Sequence, residues 1–336
     1  MSGNSDATST IRLRPQGNPL NPMAGNPAGI AEFLPASQRL LQMVTPGSQI
    51  GSYTIGDRIG LGGMGVVHEA LHYDTGKQVA LKFLISASDE KNEQHLARFQ
   101  AEAKIIQQLQ HSAIVKVTDA GSHGALHFMA MELFLGPYGT PVNLNDYANN
   151  FGDANGVLDE NDTRQIMLVL LEAIGYAHRH GVVHCDIKPS NILFNSLGME
   201  GDMWNAHLKL TDFGIAKVVG EDLVHQSVTQ SLNRVSVGGA MTADAMALLG
   251  TYDYMSPEQR RGDTATFSSD IYAVGMMVFR FLTGKTELGL KKPSRLMPGL
   301  NPAWDTVILK ALNEDPERRY KSAREMASAL EHMPGI

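Results

Sequence analysis

The sequence predicts an α+β architecture in two lobes, a small β-rich lobe carrying one helix followed by a larger α-helical lobe. Three observations carry that prediction. Residues 53–131 alternate short β-type runs with a single helical stretch. Residues 159–333 repeat their apolar positions mainly at helical spacing. Between the two lies a break rich in turn residues, near Leu133 to Gly139.

The elements follow in order. The first 52 residues hold six Pro and six Gly, only five charges (Asp6, Arg12, Arg14, Glu32, Arg39) and much Asn, Ser and Thr. Such a segment buries too little apolar surface to offset its ordering entropy. Residues 1–50 are therefore expected to form a disordered leader ahead of a folded unit at 51–333, with lobes at about 51–132 and 137–333. Within the leader, Phe33, Leu34, Leu40, Leu41 and Val44 leave room for a helical turn or two against the folded part. Strands are predicted at Tyr53–Ile59, Val66–Leu71 and Val79–Leu84. A helix is predicted over His95–Gln110, where Leu96, Phe99, Ala103, Ile106 and Leu109 share a face. Another spans Asp162–His180, with Ile166, Leu170 and Ile174 aligned and Gly181 as its stop. A further helix covers Ser269–Leu282, and two more flank Asp315-Pro316. No fixed-period repeat is present.

Composition excludes several classes of function. With 43% apolar residues among 336, the chain can build a sizeable core. Its 28 basic and 35 acidic residues give a net charge of -7, without the basic footprint of a general nucleic-acid binder. No apolar run approaches the ~18 residues that a bilayer span needs, and Met1 to Pro19 lacks the apolar stretch of a signal peptide. The one cysteine, Cys185, rules out an internal disulfide and suits a reducing compartment. A cytoplasmic protein is expected.

Four constellations carry chemistry. The first is the run Gly60-Leu61-Gly62-Gly63-Met64-Gly65-Val66-Val67. A dinucleotide fingerprint of the same spacing opens a helix, whereas Val66 to Ala70 reads as a second strand. A glycine hairpin lets backbone N–H groups lie close over phosphate oxygens. Second, Val79-Ala80-Leu81-Lys82 ends a strand in a lysine that needs a partner if buried, and Glu102 on the following helix is the candidate. Third and fourth are His184-Cys185-Asp186-Ile187-Lys188-Pro189-Ser190-Asn191 and Asp212-Phe213-Gly214. Asp186, Asn191 and Asp212 together offer a proton acceptor and ligands for a hard cation.

In order and spacing these motifs resemble the eukaryotic-like (Hanks-type) protein serine/threonine kinases of bacterial type. Gly250-Thr251-Tyr252, Ser256-Pro257-Glu258, Ser269-Asp270-Ile271-Tyr272 and Asp315-Pro316-Glu317-Arg318-Arg319 extend the match, which covers about residues 53–333. The resemblance implies the bilobal protein kinase fold, with ATP and Mg²⁺ (or Mn²⁺) as cofactors and protein Ser/Thr hydroxyls, including the chain's own, as acceptors. It implies that Gly60, Gly62 and Gly65 cover the phosphates and that Lys82 holds them, paired with Glu102. Val67, Ala80 and Leu193 would sandwich the adenine, with Met131-Glu132-Leu133 as gatekeeper and hinge. Asp186 would accept the substrate proton, Lys188 steady the transferred phosphoryl, and Asn191 and Asp212 hold the metal. Arg319 would pair with Glu258.

The chain departs from that pattern in places. Cys185 stands where the family usually has an arginine that pairs with a phosphorylated activation loop, so activity independent of loop phosphorylation is expected. The segment from Asp212 to Glu258 spans 47 residues and holds Ser227, Thr229, Ser231, Ser236 and Thr242 as candidate modification sites. Between Gly284 and Pro293 a substrate-docking helix of the family is trimmed or lost, and Ser190 replaces an acid common in kinases that prefer basic substrates. His178, His180 and His184 fit structural positions better than a metal site. The chain closes at Ile336 soon after the last kinase-like helix, so no fused membrane span or sensor is expected. The alternative to an active kinase is a nucleotide-binding pseudokinase scaffold. A dinucleotide oxidoreductase fails on the strand after Gly65, and a small-molecule kinase is disfavoured by the Pro-x-Asn and Ser-Pro-Glu motifs.

Overall fold

Six antiparallel strands build the first lobe: β1 (Gln49–Ile50), β2 (Tyr53–Gly62), β3 (Gly65–His72), β4 (Gln78–Leu84), β5 (Val117–His123) and β6 (Leu126–Glu132), in the order β1-β2-β3-β4-β6-β5. This computed structural model describes residues 44–62, 65–84, 100–101, 103–123, 126–136, 138–195, 207–213, 250–287, 289 and 291–335. The chain falls into two units, Met1–Leu34 and Pro35–Ile336. Every described residue belongs to the second unit, and most of the leader lies outside the described residues.

Strand alternation sorts the lobe's side chains. On β4, Val79, Leu81 and Phe83 enter an apolar cluster with Val44, Ile50, Tyr53 and Phe128, while Ala80 and Lys82 point the other way. The β4–β6 register sets Ala80 opposite Met131 and Lys82 opposite Met129. The β2–β3 hairpin closes at Gly62 opposite Gly65, after register shifts between Ile55 and Gly60 that place Gly60 opposite Val67. Of the predicted His95–Gln110 helix, residues 100–101 and 103–107 are helical and bury Ala103 and Ile106, with Leu109 just beyond. Its start, with Leu96 and Phe99, lies outside the described residues.

The second lobe comprises β7 (Val142–Asn143), α1 (Leu144–Phe151), α2 (Glu160–Arg179), β8 (Ile192–Phe194), β9 (Leu208–Leu210), α3 (Pro257–Arg260), α4 (Phe267–Thr283), α5 (Pro293–Leu296), α6 (Ala303–Ala311) and α7 (Ala323–Glu331). Strands β7, β8 and β9 form a small antiparallel sheet in that order. Helix α2 starts two residues before its predicted position because the Asp159 carboxylate caps it, accepting from the N–H groups of Asn161 and Asp162. Ile166, Leu170 and Ile174 are fully buried along its core face. Gly181, at φ 76°, reverses the chain after α2. That reversal aims Val182 to Asp186 back across the helical core. Helix α4 is buried on nearly every side and anchors the lobe against α2 and α6, with Trp304 wholly enclosed. Between Thr283 and Ala303 the only described helix is the four-residue α5, in line with the trimmed segment expected there. Among the described residues no helix is long and apolar enough to cross a membrane.

Candidate active site

A cleft of about 610 Å³ lies between the six-stranded sheet and the helical lobe, within the range of small-molecule sites. One wall carries Gly60, Gly65, Val67, Ala80 and Lys82; the opposite wall carries Asp186, Lys188, Asn191, Leu193 and Asp212. Met131, Glu132 and Leu133 line its back edge. Thirteen of the fifteen residues singled out in the sequence therefore line one cavity. Gly62 sits at the closing pair of the hairpin, outside the lining. Glu102 lies outside the described residues, so its pairing with Lys82 does too.

Lys82 is 6% exposed and its Nζ stands 2.7 Å from Asp212 Oδ2. Burial works against the Asp212 charge, but Lys82 overrides it, with Lys188 and His184 adding to the effect. The carboxyl is thereby held below the ordinary carboxylate range and stays ionised. Asp212 also has φ 68°, a left-handed backbone that costs energy for a residue with a Cβ and persists only where the surroundings impose it.

Below it the loop from His184 to Asn191 forms a hydrogen-bonded unit. The Asn191 amide donates to the Asp186 carbonyl at 2.7 Å and to Asp186 Oδ2 at 3.0 Å. The one-turn 3₁₀ segment Pro189–Asn191 brings the two side chains together. Lys188 Nζ lies 2.9 Å from Asp186 Oδ2 and donates to Thr251 Oγ1 at 2.7 Å. One short loop thus presents a carboxylate, an ammonium and an amide oxygen on a single face.

What holds this loop was not visible in the motifs. Asp270, 1% exposed on α4, accepts from the N–H of His184 at 2.8 Å, the N–H of Cys185 at 3.0 Å and His178 Nε2 at 2.8 Å. Gln259 on α3 donates to the Cys185 carbonyl at 2.8 Å. His184 bridges the loop to the residue just past β9, with Nε2 2.9 Å from the Thr211 carbonyl and Nδ1 accepting from the Asp186 N–H at 3.3 Å. His178, His180 and His184 each contact a carboxylate or backbone group. Among the described residues no His, Cys, Asp or Glu group of three could hold a metal ion unaided.

The back edge is braced from below. Glu132 Oε1 accepts from Lys209 Nζ at 2.7 Å and from the Lys116 N–H at 2.8 Å. Phe134 also lines the cleft, one residue past the predicted hinge, with Lys209 Nζ 5.5 Å from its ring. Its apolar side chain gave no distinguishing signal. Deeper in the helical lobe, Glu258 and Arg319 form a bidentate pair at 2.7 and 2.8 Å, as the family resemblance implies. Burial would push Glu258 up, but the Arg319 and Ser269 hydrogen bonds bring it down to about 2. The candidate loop sites Ser227, Thr229, Ser231, Ser236 and Thr242 lie outside the described residues.

Known proteins resemble this chain in sequence and in fold. The protein kinase domain family model matches residues 53–333. The probable serine/threonine-protein kinase PknB of Bifidobacterium longum is 32% identical over 304 residues, which cover 83% of this chain and 39% of the relative. Serine/threonine-protein kinase PknB of Mycolicibacterium smegmatis is 31% identical over 307 residues, covering 86% of this chain and 44% of the relative. The chain thus spans less than half the length of these relatives. Among solved structures, the PknI kinase domain of Mycobacterium tuberculosis superposes with a TM-score of 0.63 at 23% identity, covering 87% of this chain and 99% of that domain.

Proposed function

The chain belongs to the protein kinase family, and from that premise we propose that it is a serine/threonine protein kinase transferring the γ-phosphate of ATP to Ser or Thr hydroxyls. The observation that carries the reading is the closed set Asp186–Asn191–Lys188–Thr251 on one wall of the cleft, beside the Lys82–Asp212 pair that joins the two walls.

Val67 and Ala80 on one wall and Leu193 on the other leave an apolar slot for a flat base. The β6 ladder ends at Glu132, so the peptide groups of Leu133 and Phe134 are placed to bond the edge of that base. Lys82 meets the α- and β-phosphates, and backbone N–H groups of the Gly60–Gly65 hairpin lie over them. Asp186 receives the acceptor proton as the hydroxyl oxygen attacks the γ-phosphorus and the bond to the ADP oxygen breaks. Lys188 stabilises charge on the phosphoryl in transit. Its contact with Thr251 ties that charge to the segment beside the acceptor.

The donor set suits a divalent cation. Asn191 donates its amide nitrogen to Asp186, which leaves the amide oxygen as a ligand atom, and Asp212 adds an ionised carboxylate. One carboxylate plus phosphate oxygens is what Mg²⁺ prefers to an all-protein cage. Mg²⁺ or Mn²⁺ held by Asn191 and Asp212 would neutralise the phosphate oxygens. A cytoplasmic location fits the sole cysteine and the absence of a span-length apolar helix among the described residues. The folded kinase unit is assigned to residues 51–333.

The test is transfer of labelled phosphate from ATP, with Mg²⁺ or Mn²⁺, to the chain itself and to a generic basic protein. Label that disappears in Asp186→Asn supports the reading. No label, with nucleotide still raising the melting temperature, would favour a pseudokinase scaffold.

A further inference from the structure

Six charged side chains line the cleft: Lys82, Glu132, Asp186, Lys188, Asp212 and Asp253. Five of them stand in ion pairs, Lys82 with Asp212, Lys188 with Asp186 and Glu132 with Lys209. Asp253 is in none among the described residues, although it is half-buried in the same wall.

From this imbalance we infer that Asp253 is a specificity residue, receiving a Lys or Arg side chain of the protein substrate close to the acceptor hydroxyl. The inference rests on the kinase reading and names the class of substrate that the site favours.

Placement comes first. Thr251 Oγ1 takes a hydrogen bond from Lys188 Nζ at 2.7 Å, and Lys188 is 2.9 Å from Asp186, where the acceptor proton goes. Asp253 follows Thr251 by two residues, a distance of at most about 7 Å along the chain. A substrate strand advances about 3.3 Å per residue, so a basic side chain within a few residues of the acceptor can reach Asp253.

The surroundings of Asp253 leave its charge under-compensated. Its carboxylate accepts a hydrogen bond from the neutral Thr286 hydroxyl and lies near a second acid, Glu287. Arg260 is the nearby cation, but its Nη2 is bonded to the backbone carbonyls of Tyr252 at 3.1 Å and Asp253 at 3.3 Å, and its guanidinium covers the Tyr252 ring at 4.7 Å. Burial, the largest influence, together with Glu287 outweighs Thr286 and Arg260, so the carboxyl is pushed above its ordinary range. An arriving ammonium or guanidinium would reverse that balance and gain a charge-assisted hydrogen bond.

Among the described residues, the rest of the lining outside Asp253 and the three ion pairs is uncharged. Ser190, Asn143 and Asn145 line the cleft with hydroxyl and amide groups, and the Asn143 oxygen is occupied capping α1 through the N–H groups of Asn145 and Asp146. Among the described residues, selection for a base is thereby concentrated at Asp253.

The experiment uses the full chain with Mg-ATP and serine-acceptor peptides in which a single lysine is walked through every position of a glutamine background. One position is expected to raise kcat/KM about tenfold, as one partly buried charge pair can. Asp253→Asn should reduce that advantage to about twofold or less. Asp253→Lys should transfer the preference to glutamate at the same position, a gain that misfolding cannot imitate. Equal rates at all positions in the unaltered chain would overturn the inference, as would a lysine preference that survives in Asp253→Asn. Should no peptide be phosphorylated by the unaltered chain, the kinase reading falls and this inference with it.

Discussion

Gln259 donates its side-chain amide to the carbonyl of Cys185 at 2.8 Å, linking α3 to the residue just before Asp186. Cys185 has φ 70°, so its peptides are held in a conformation that the free chain disfavours. Gln259→Ala removes the hydrogen bond to Cys185, about 1 kcal/mol, together with the two that its Oε1 accepts from the Ser256 N–H and hydroxyl, and lets Cys185 relax. We expect kcat for peptide phosphorylation to fall about threefold to tenfold, with KM for ATP nearly unchanged. Gln259→Glu, which sets a carboxylate against the carbonyl, should be worse than Gln259→Ala. Equal losses in kcat and ATP affinity would mean general damage rather than loss of positioning.

Loop phosphorylation should be dispensable. A neutral thiol at 185 offers no ion pair to a phosphate, and Asp270 and Gln259 already fix both sides of that residue. Replacing Ser227, Thr229, Ser231, Ser236 and Thr242 together by Ala should leave peptide phosphorylation within about threefold of the unaltered chain. Abolished activity would refute this.

The Lys82–Asp212 pair makes a sharper prediction. Lys82→Met removes the proposed phosphate contact and leaves Asp212 buried without its strongest charge partner. Phosphotransfer should drop more than about 100-fold, while Tm shows the chain still folded. Retention of a tenth of the activity would show that Lys82 does not hold the phosphates.

Acid sensitivity should trace partly to Glu258. Its folded value of about 2 lies below the ordinary 4.5. A depressed carboxyl stabilises the fold above its unfolded value, and that contribution is lost as pH falls from about 4.5 towards 2. Denaturant unfolding across this window should show a steeper loss for the unaltered chain than for Glu258→Gln. At neutral pH, Arg319→Met, which strands a buried carboxylate, should cost about 3–5 kcal/mol.

The lobes and the cleft were legible in the sequence because periodicity and ordered motifs encode them locally. β4 alternates Val79-Ala80-Leu81-Lys82-Phe83 between core and cleft as its pattern implies. Long-range bracing was not legible. Asp270 reaches residues 85 to 92 positions away, and no spacing rule joins a helix carboxylate to a distant backbone N–H. Gln259 and Phe134 were missed for the same reason, since their roles depend on which peptide lies opposite. The Lys82 contact with Asp212 likewise depends on how the two walls meet.

The apolar cluster on the outer side of the six-stranded sheet is separate from the main core and includes Val44 and Ile50. The family match begins at residue 53. A recombinant fragment cut at that limit would keep every residue of the cleft and lose two plugs of this secondary core, 7% exposed each. Native-state amide exchange should then report early opening of β2 and β3, the strands carrying the glycine hairpin, while α2 and α4 remain protected. Nucleotide affinity would weaken in such a fragment with no contact to nucleotide removed.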